Sequence, residues 1–145
     1  MKKVLLAYDG SENSGKALDW LADFAKQLPV EIVIVNVFHF PDTQWGDYLV
    51  SGMQQAVDGL LRRAQEVLKE AKDKFSELGL TVETVYLDGA PASEIIRYAS
   101  AESIDLIVCG SRGQGGFKAL MLGSVAHNLV TFSPIPVLVI RSDAS

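Results

Sequence analysis

Residues 30–38, VEIVIVNVF, constrain the fold more than any other stretch of this chain. β-branched residues dominate, and apolar side chains fill both alternating registers, so neither face of a strand built from them can meet water. Such a strand belongs inside a parallel sheet with helices on both faces. The remaining segments supply that sheet in order. KKVLLAYD (2–9) is a first strand, and residues 12–28 carry Ala17, Leu18, Leu21, Ala25 and Leu28 at helical spacing. After a connection at 39–52, a long helix over about 52–78 is expected, begun by a Ser51–Gln54 capping box and stopped by Gly79. Its inner stripe runs from Met53 through Leu60, Val67 and Phe75 to Leu78. TVETVYL (81–87) is a third strand, and ASEIIRYAS (92–100) a third helix with Pro91 in its first turn. DLIVCG (105–110) is a fourth strand, residues 124–132 a last helix capped by Ser124, and PIPVLVIR (134–141) a fifth strand.

The order β-α-β-α-β-α-β-α-β predicts an α/β fold: a three-layer, open, five-stranded parallel sheet with helices on both faces, Rossmann-like in kind. The length of 145 residues fits one domain, 1–145. An apolar fraction of 48% against 21% charged excludes a disordered chain. The net charge of −5 opposes a broad nucleic-acid-binding face but not one small phosphorylated ligand. The opening MKKVLLAYDG has only five apolar residues, Val4 to Tyr8, too few for a secretory leader. No stretch reaches the length of a membrane span, and the single cysteine, Cys109, cannot form an internal disulfide. The expected location is the cytoplasm, with no membrane partner.

Ligands of such sheets bind at the carboxyl ends of the strands, where the strand order switches. Two glycine-bearing segments compete for that place. GSENSGKA (10–17) follows the first strand and matches G-x-x-x-x-G-K, but Ala17 stands where a P-loop needs a hydroxyl for magnesium, and Glu12 puts a carboxylate inside the anion nest. No later strand is expected to end in an acidic residue that would hold the metal from the other side. A plain strand-to-helix turn is the better reading. The second segment, GSRGQGGFKALMLGSV (110–125), holds five of the chain's twelve glycines. It contains Gly110-x-x-Gly113, nine residues, then Gly123-Ser124. Backbone amides near Gly110 and Gly113 can converge on a phosphate, because glycine permits close approach and positive φ. Gly123 and Ser124 present the N-terminus of the last helix to an anion, and Arg112 supplies charge or faces solvent.

With these residues the sequence resembles the universal stress protein family, in its nucleotide-binding branch, over essentially its whole length. VLLAYDGSENSGKAL, DGAPASEII, DLIVCGSRGQGGFKALMLGSVAHNLV and PIPVLVIR carry the resemblance. It implies a five-stranded parallel sheet with four helices, a dimer through the last strand, and ATP as ligand. Carried over residue by residue, it implies that Asp9 lies by the ribose and phosphates as a candidate Mg²⁺ ligand, and that Val37 offers backbone groups to adenine. It further implies that Cys109, Gly110, Arg112 and Gly113 border the ribose and phosphates, and that Gly123, Ser124 and Val125 clasp the phosphates. Two positions depart from the pattern: Ala7, where many members have proline, and Ala126, where some have a hydroxyl.

Other readings of these residues compete. Asp9 could cap the first helix or the turn before it. Cys109 could be a redox sensor or a small buried hydrophobe, and His127 could reach a phosphate or face solvent. His39 reads as loop. Phe117, Leu120, Met121 and Leu122 are expected to form a helical turn packed on the domain or on a partner. The last strand should lie at a sheet edge, so a homodimer through Pro136 to Ile140 would cover it. For function, an ATP-binding regulatory module read by a protein partner stands beside a slow ATPase or nucleotidyl-transferring enzyme and a dimeric interaction protein with a vestigial pocket.

Overall fold

The computed structural model of this protein describes residues 2–39, 50–112 and 122–141. Five strands and four helices alternate: β1 (Lys3–Ala7), α1 (Glu12–Gln27), β2 (Glu31–Phe38), α2 (Val50–Glu77), β3 (Glu83–Asp88), α3 (Pro91–Ala101), β4 (Leu106–Gly110), α4 (Ser124–Phe132) and β5 (Val137–Ile140). The strands form one sheet in the order β3-β2-β1-β4-β5, and every neighbouring pair is parallel. The expected α/β architecture is therefore present.

Strand alternation divides the core in two. Val4, Leu6, Tyr8, Ile32, Ile34 and Val108 point to the face covered by α1 and α2, where they meet Ala17, Leu18, Leu21, Val67, Leu68, Ala71 and Phe75. Leu5, Val33, Val35, Ile107 and Cys109 point to the other face, against Ala92, Ile95, Ala99, Ala126 and Leu129 of α3 and α4. This is why β1, β2 and β4 read as nearly unbroken apolar runs. At the opposite edge of the sheet from the strand ends discussed below, Asp105 Oδ2 accepts the backbone N–H groups of Lys2 and Lys3, each at 2.9 Å, and joins the starts of β4 and β1. Those two donors hold its carboxyl below the usual carboxylate range.

Two expectations about α2 need correction. The helix begins at Val50, so Ser51 lies within its first turn rather than capping it, and Gln54 Nε2 donates onward to Asp58 Oδ1 at 3.0 Å. The apolar stripe also packs only in part. Ala64 to Phe75 are buried, whereas Ala56 is exposed and Val57, Leu60 and Leu61 are half-buried. Length explains this: the 28 residues of α2 rise about 42 Å, while the eight of β2 span only about 26 Å. The helix outruns the sheet at its N-terminal end. Its other end follows expectation. Gly79 has φ +77°, with Gly79 N–H donating to Ser76 and Leu80 N–H to Phe75, a Schellman stop. β3 runs one residue further than expected and does end in an acid, Asp88. It lies at the outer edge of the sheet, with β2 between it and β1.

Candidate functional site

From β1 the chain proceeds outward to β2 and β3, and from β4 it proceeds outward to β5 on the other side. The connections after β1 and β4 thus leave in opposite directions, which opens a crevice between their carboxyl ends. A cavity of about 160 Å³ lies there, close to the size that accommodates a benzene ring.

The end of β1 builds one wall. Tyr8 is buried beneath α2, where its hydroxyl meets Glu70 Oε1 at 3.4 Å. Asp9 then turns the chain: its Oδ1 accepts the Ser11 N–H at 2.9 Å, and Gly10 follows at φ +83°. Ser11 caps α1, its Oγ accepting the Ser14 N–H at 3.2 Å, while the buried Ser14 returns its own hydroxyl to the Ser11 carbonyl at 3.0 Å. Asp9 therefore holds the turn, as the structural reading of it required, and also lines the cavity. Val35 and Val37 of β2 and Pro91 and Ile95 of α3 form an apolar side. Cys109, Gly110 and Arg112 close the β4 side, with Val125 and Ala126 of α4 above them.

Of the residues singled out in the sequence, Ala7, Asp9, Val37, Cys109, Gly110, Arg112 and Val125 share this one cavity. Gly113 lies outside the described residues, as do Phe117, Leu120 and Met121. The expected Ser124 cap is not made. Gly123 is the N-cap of α4, in extended conformation, and Ser124 is the first helical residue, exposed at an adjoining groove with Ser93 and Asn128. A glycine cap brings no side chain, so the amides of Ser124, Val125 and Ala126 have no acceptor within the helix; the ladder begins with His127 N–H to Gly123. The positive end of the helix dipole adds to their pull on an anion.

Gly110 lines the cavity without the positive φ expected of it. Glycine is needed there for another reason: a Cβ would stand 2.7 Å from the Asn13 carbonyl oxygen and 2.8 Å from its carbon. The missing side chain lets β4 lie against the first turn of α1. At this junction Asn13 Oδ1 and Ser111 Oγ are buried and find no hydrogen-bond partner among the described residues. Gly123 N–H donates to the Ser111 carbonyl at 2.7 Å, drawing together the two ends of the glycine-rich segment.

Pro91, Ile95 and Ser14 escaped the sequence reading as site residues, while Ala126, noted there as a departure from the family pattern, does line the cavity. Ser11-x-x-Ser14 after a strand was the one local signal among those three; the other two arrive through crossovers. His39 and His127 are exposed and do not line the cavity. Among the described residues no group of three or more His, Cys, Asp or Glu comes together as a metal site, and no helix is long and apolar enough to cross a membrane.

Cys109 is a packed thiol. Burial pushes its pKa from about 9 up to about 12, which opposes the thiolate a redox sensor needs. Burial, aided by Glu70, also raises the Tyr8 phenol from 10 to about 12. In both cases the unfolded chain ionises first, so the folded state holds more protons and loses stability as pH rises. Urea unfolding is expected to show no dependence on these groups near pH 7 and a falling midpoint from about pH 9 upward. Cys109→Ala should remove part of that alkaline slope.

The comparisons with known proteins agree with one another. Residues 1–141 match the family model described as the universal stress protein family. The universal stress protein YxiE of Bacillus subtilis is 37% identical over 145 residues, covering 96% of this chain and 98% of the relative. The solved structure of MJ0577, a universal stress protein of Methanocaldococcus jannaschii, superposes with a TM-score of 0.85 at 27% identity, covering 99% of this chain and 98% of that one. A universal stress protein in complex with cAMP has the same fold, with a TM-score of 0.72, 24% identity and 98% coverage of both chains.

Proposed function

This chain belongs to the universal stress protein family, and on that premise we propose that it binds an adenine nucleotide, ATP with Mg²⁺, as a nucleotide-dependent regulatory module of the stress response. The observation that carries the reading is the meeting of the β1, β2 and β4 ends with the free amides of α4 at one cavity. Its apolar walls, Val35, Val37, Pro91 and Ile95, suit a planar base. Arg112 and the amides of Ser124 to Ala126 suit phosphates. Asn13 Oδ1 and Ser111 Oγ, buried and without a hydrogen-bond partner among the described residues, adjoin the cavity-lining Ser14 and Arg112 in sequence and suit a buried water at the cavity margin. A protein of the same fold binds cAMP; at that level of identity the likeness concerns the fold, and the ligand reading rests on the cavity of this chain.

Bound magnesium would neutralise phosphate charge. Asp9 would hold it, since Mg²⁺ commonly takes one or two carboxylates and completes its shell with phosphate oxygens and water. Among the described residues Asp9 is the only carboxylate lining the cavity, which favours binding and signalling over turnover. Occupancy would set the shape of the segment between Ser111 and Gly123, and a protein partner in the cytoplasm would read it.

The test is calorimetric titration of Mg-ATP into protein stripped of copurified nucleotide, beside Gly123→Val, which sets a branched side chain at the α4 N-cap. Saturable binding that weakens at least about tenfold in a folded variant supports the reading; no heat from the wild-type protein overturns it. The same proposal includes a homodimer. β5 lies at the sheet edge with all four residues only half-buried, so a second copy pairing along Pro136 to Ile140 would cover an open apolar edge. Sedimentation at micromolar concentration should give the mass of two chains, and a monomer there removes the dimer.

A further inference from the structure

The ladder between β1 and β2 ends at the pair Ala7 and Val35, and Tyr8 N–H still donates to the Val35 carbonyl at 3.0 Å. In a parallel ladder every second residue of a strand bonds to the same neighbour. Val37 therefore directs its N–H and C=O as Val35 does, toward β1. The next rung would run from Val37 N–H to the Tyr8 carbonyl. That carbonyl instead accepts Asn36 Nδ2 at 3.0 Å. Beyond it the chain turns away through Asp9 and Gly10. The backbone edge of Val37 is left facing the cavity that Val37 lines. Asn36 is buried and alternates with Ile34, so its side chain lies on the α1–α2 face, behind the sheet from Ile95 and Val125.

We propose that Asn36 is a positioning residue: by occupying the Tyr8 carbonyl, it keeps the N–H and C=O of Val37 open for the hydrogen-bonding edge of a nucleotide base. A purine offers an acceptor beside a donor, such as N1 and the exocyclic amino group of adenine, and can take the place of the missing rung. Asn36 itself never touches the base. The ligand half of this inference rests on the nucleotide reading above, while the backbone half stands without it.

Amide hydrogen exchange by NMR on the full-length protein, with calorimetry, tests both halves. In the wild-type protein the Val37 amide should exchange faster than that of Val35, and ATP should slow it where inorganic triphosphate does not. In Asn36→Leu the freed Tyr8 carbonyl should capture the Val37 N–H. That amide then becomes protected, ATP affinity falls about tenfold and triphosphate affinity stays within about twofold. Asn36→Ala, which removes the donor and adds no bulk, should weaken ATP in the same selective way and serves if the leucine variant does not fold. Wild-type protection of Val37 equal to that of Val35 overturns the proposal, as does an equal loss of ATP and triphosphate affinity in the variants. ATP that binds without slowing the Val37 amide overturns it too, while the nucleotide reading survives. Absence of any ATP binding removes that reading and the ligand half with it, and the wild-type exchange rates still decide the backbone half.

Discussion

Gly110→Ala is expected to destabilise the protein by about 1–3 kcal/mol, the usual cost of forcing extra volume into a close-packed contact. The obstacle is backbone: the new Cβ would stand 2.7 Å from the Asn13 carbonyl oxygen and 3.1 Å from Asn13 Cβ. No rotamer relieves that contact, so either β4 or the first turn of α1 must move. Both border the cavity, through Cys109 and Gly110 on one side and Ser14 on the other. Nucleotide affinity should therefore fall together with stability, and Gly110→Val should be worse than Gly110→Ala in both respects. Urea denaturation checks the first effect through a lowered midpoint at unchanged slope. Gly59→Ala is the control. It sits within α2 with nothing within 4 Å of the added methyl, so it should stabilise by about 0.5–1 kcal/mol. A Gly110→Ala protein as stable as the wild type would mean that the contact between β4 and α1 is looser than described.

Phe75→Ala carries the largest expected loss, about 3–5 kcal/mol. Phe75 is wholly buried and is the largest of the fully buried side chains. It lies in the α1–α2 core near the end of α2, where its carbonyl also accepts the closing Leu80 N–H. The loss is large because α2 holds the sheet through a short stretch only, Ala64 to Phe75. With total stability of about 5–15 kcal/mol for a domain of this kind, a melting temperature lower by about 10 °C is expected by calorimetry. A shift of only a degree or two would mean that neighbouring side chains collapse into the space.

The sheet was legible in the sequence because its strands are buried on both faces, and residues 30–38 can satisfy no other arrangement. The element order followed from that, as did the edge at which Asp9, Val37 and Gly110 come together. Helix ends were less legible. Ser51 and Ser124 carry the right chemistry for capping, but the cap position depends on where the preceding chain enters, which a local pattern does not encode. The exposed first half of α2 was hidden for a related reason: an apolar stripe tells which face turns inward, not how far the sheet beneath it extends. Gly110 was recognised as special, but its packing constraint was not legible, since the Asn13 backbone that needs its space lies almost a hundred residues away. Asn36 is one of two polar residues in VEIVIVNVF, with Glu31, and nothing local marks it out: its partner, the Tyr8 carbonyl, appears only once the two strands are paired.

The hydrogen bond from Gly123 to Ser111 has a consequence for how such a protein can diversify. It ties Ser111, which follows β4, to Gly123, the N-cap of α4, so the spacing of these two anchors is held by a contact of their own. Doubling the length of a closed loop costs only about 0.6 kcal/mol. Insertions between Arg112 and Leu122 should thus leave β4 and α4 in place, and with them the walls that Cys109, Gly110 and Val125 give the cavity.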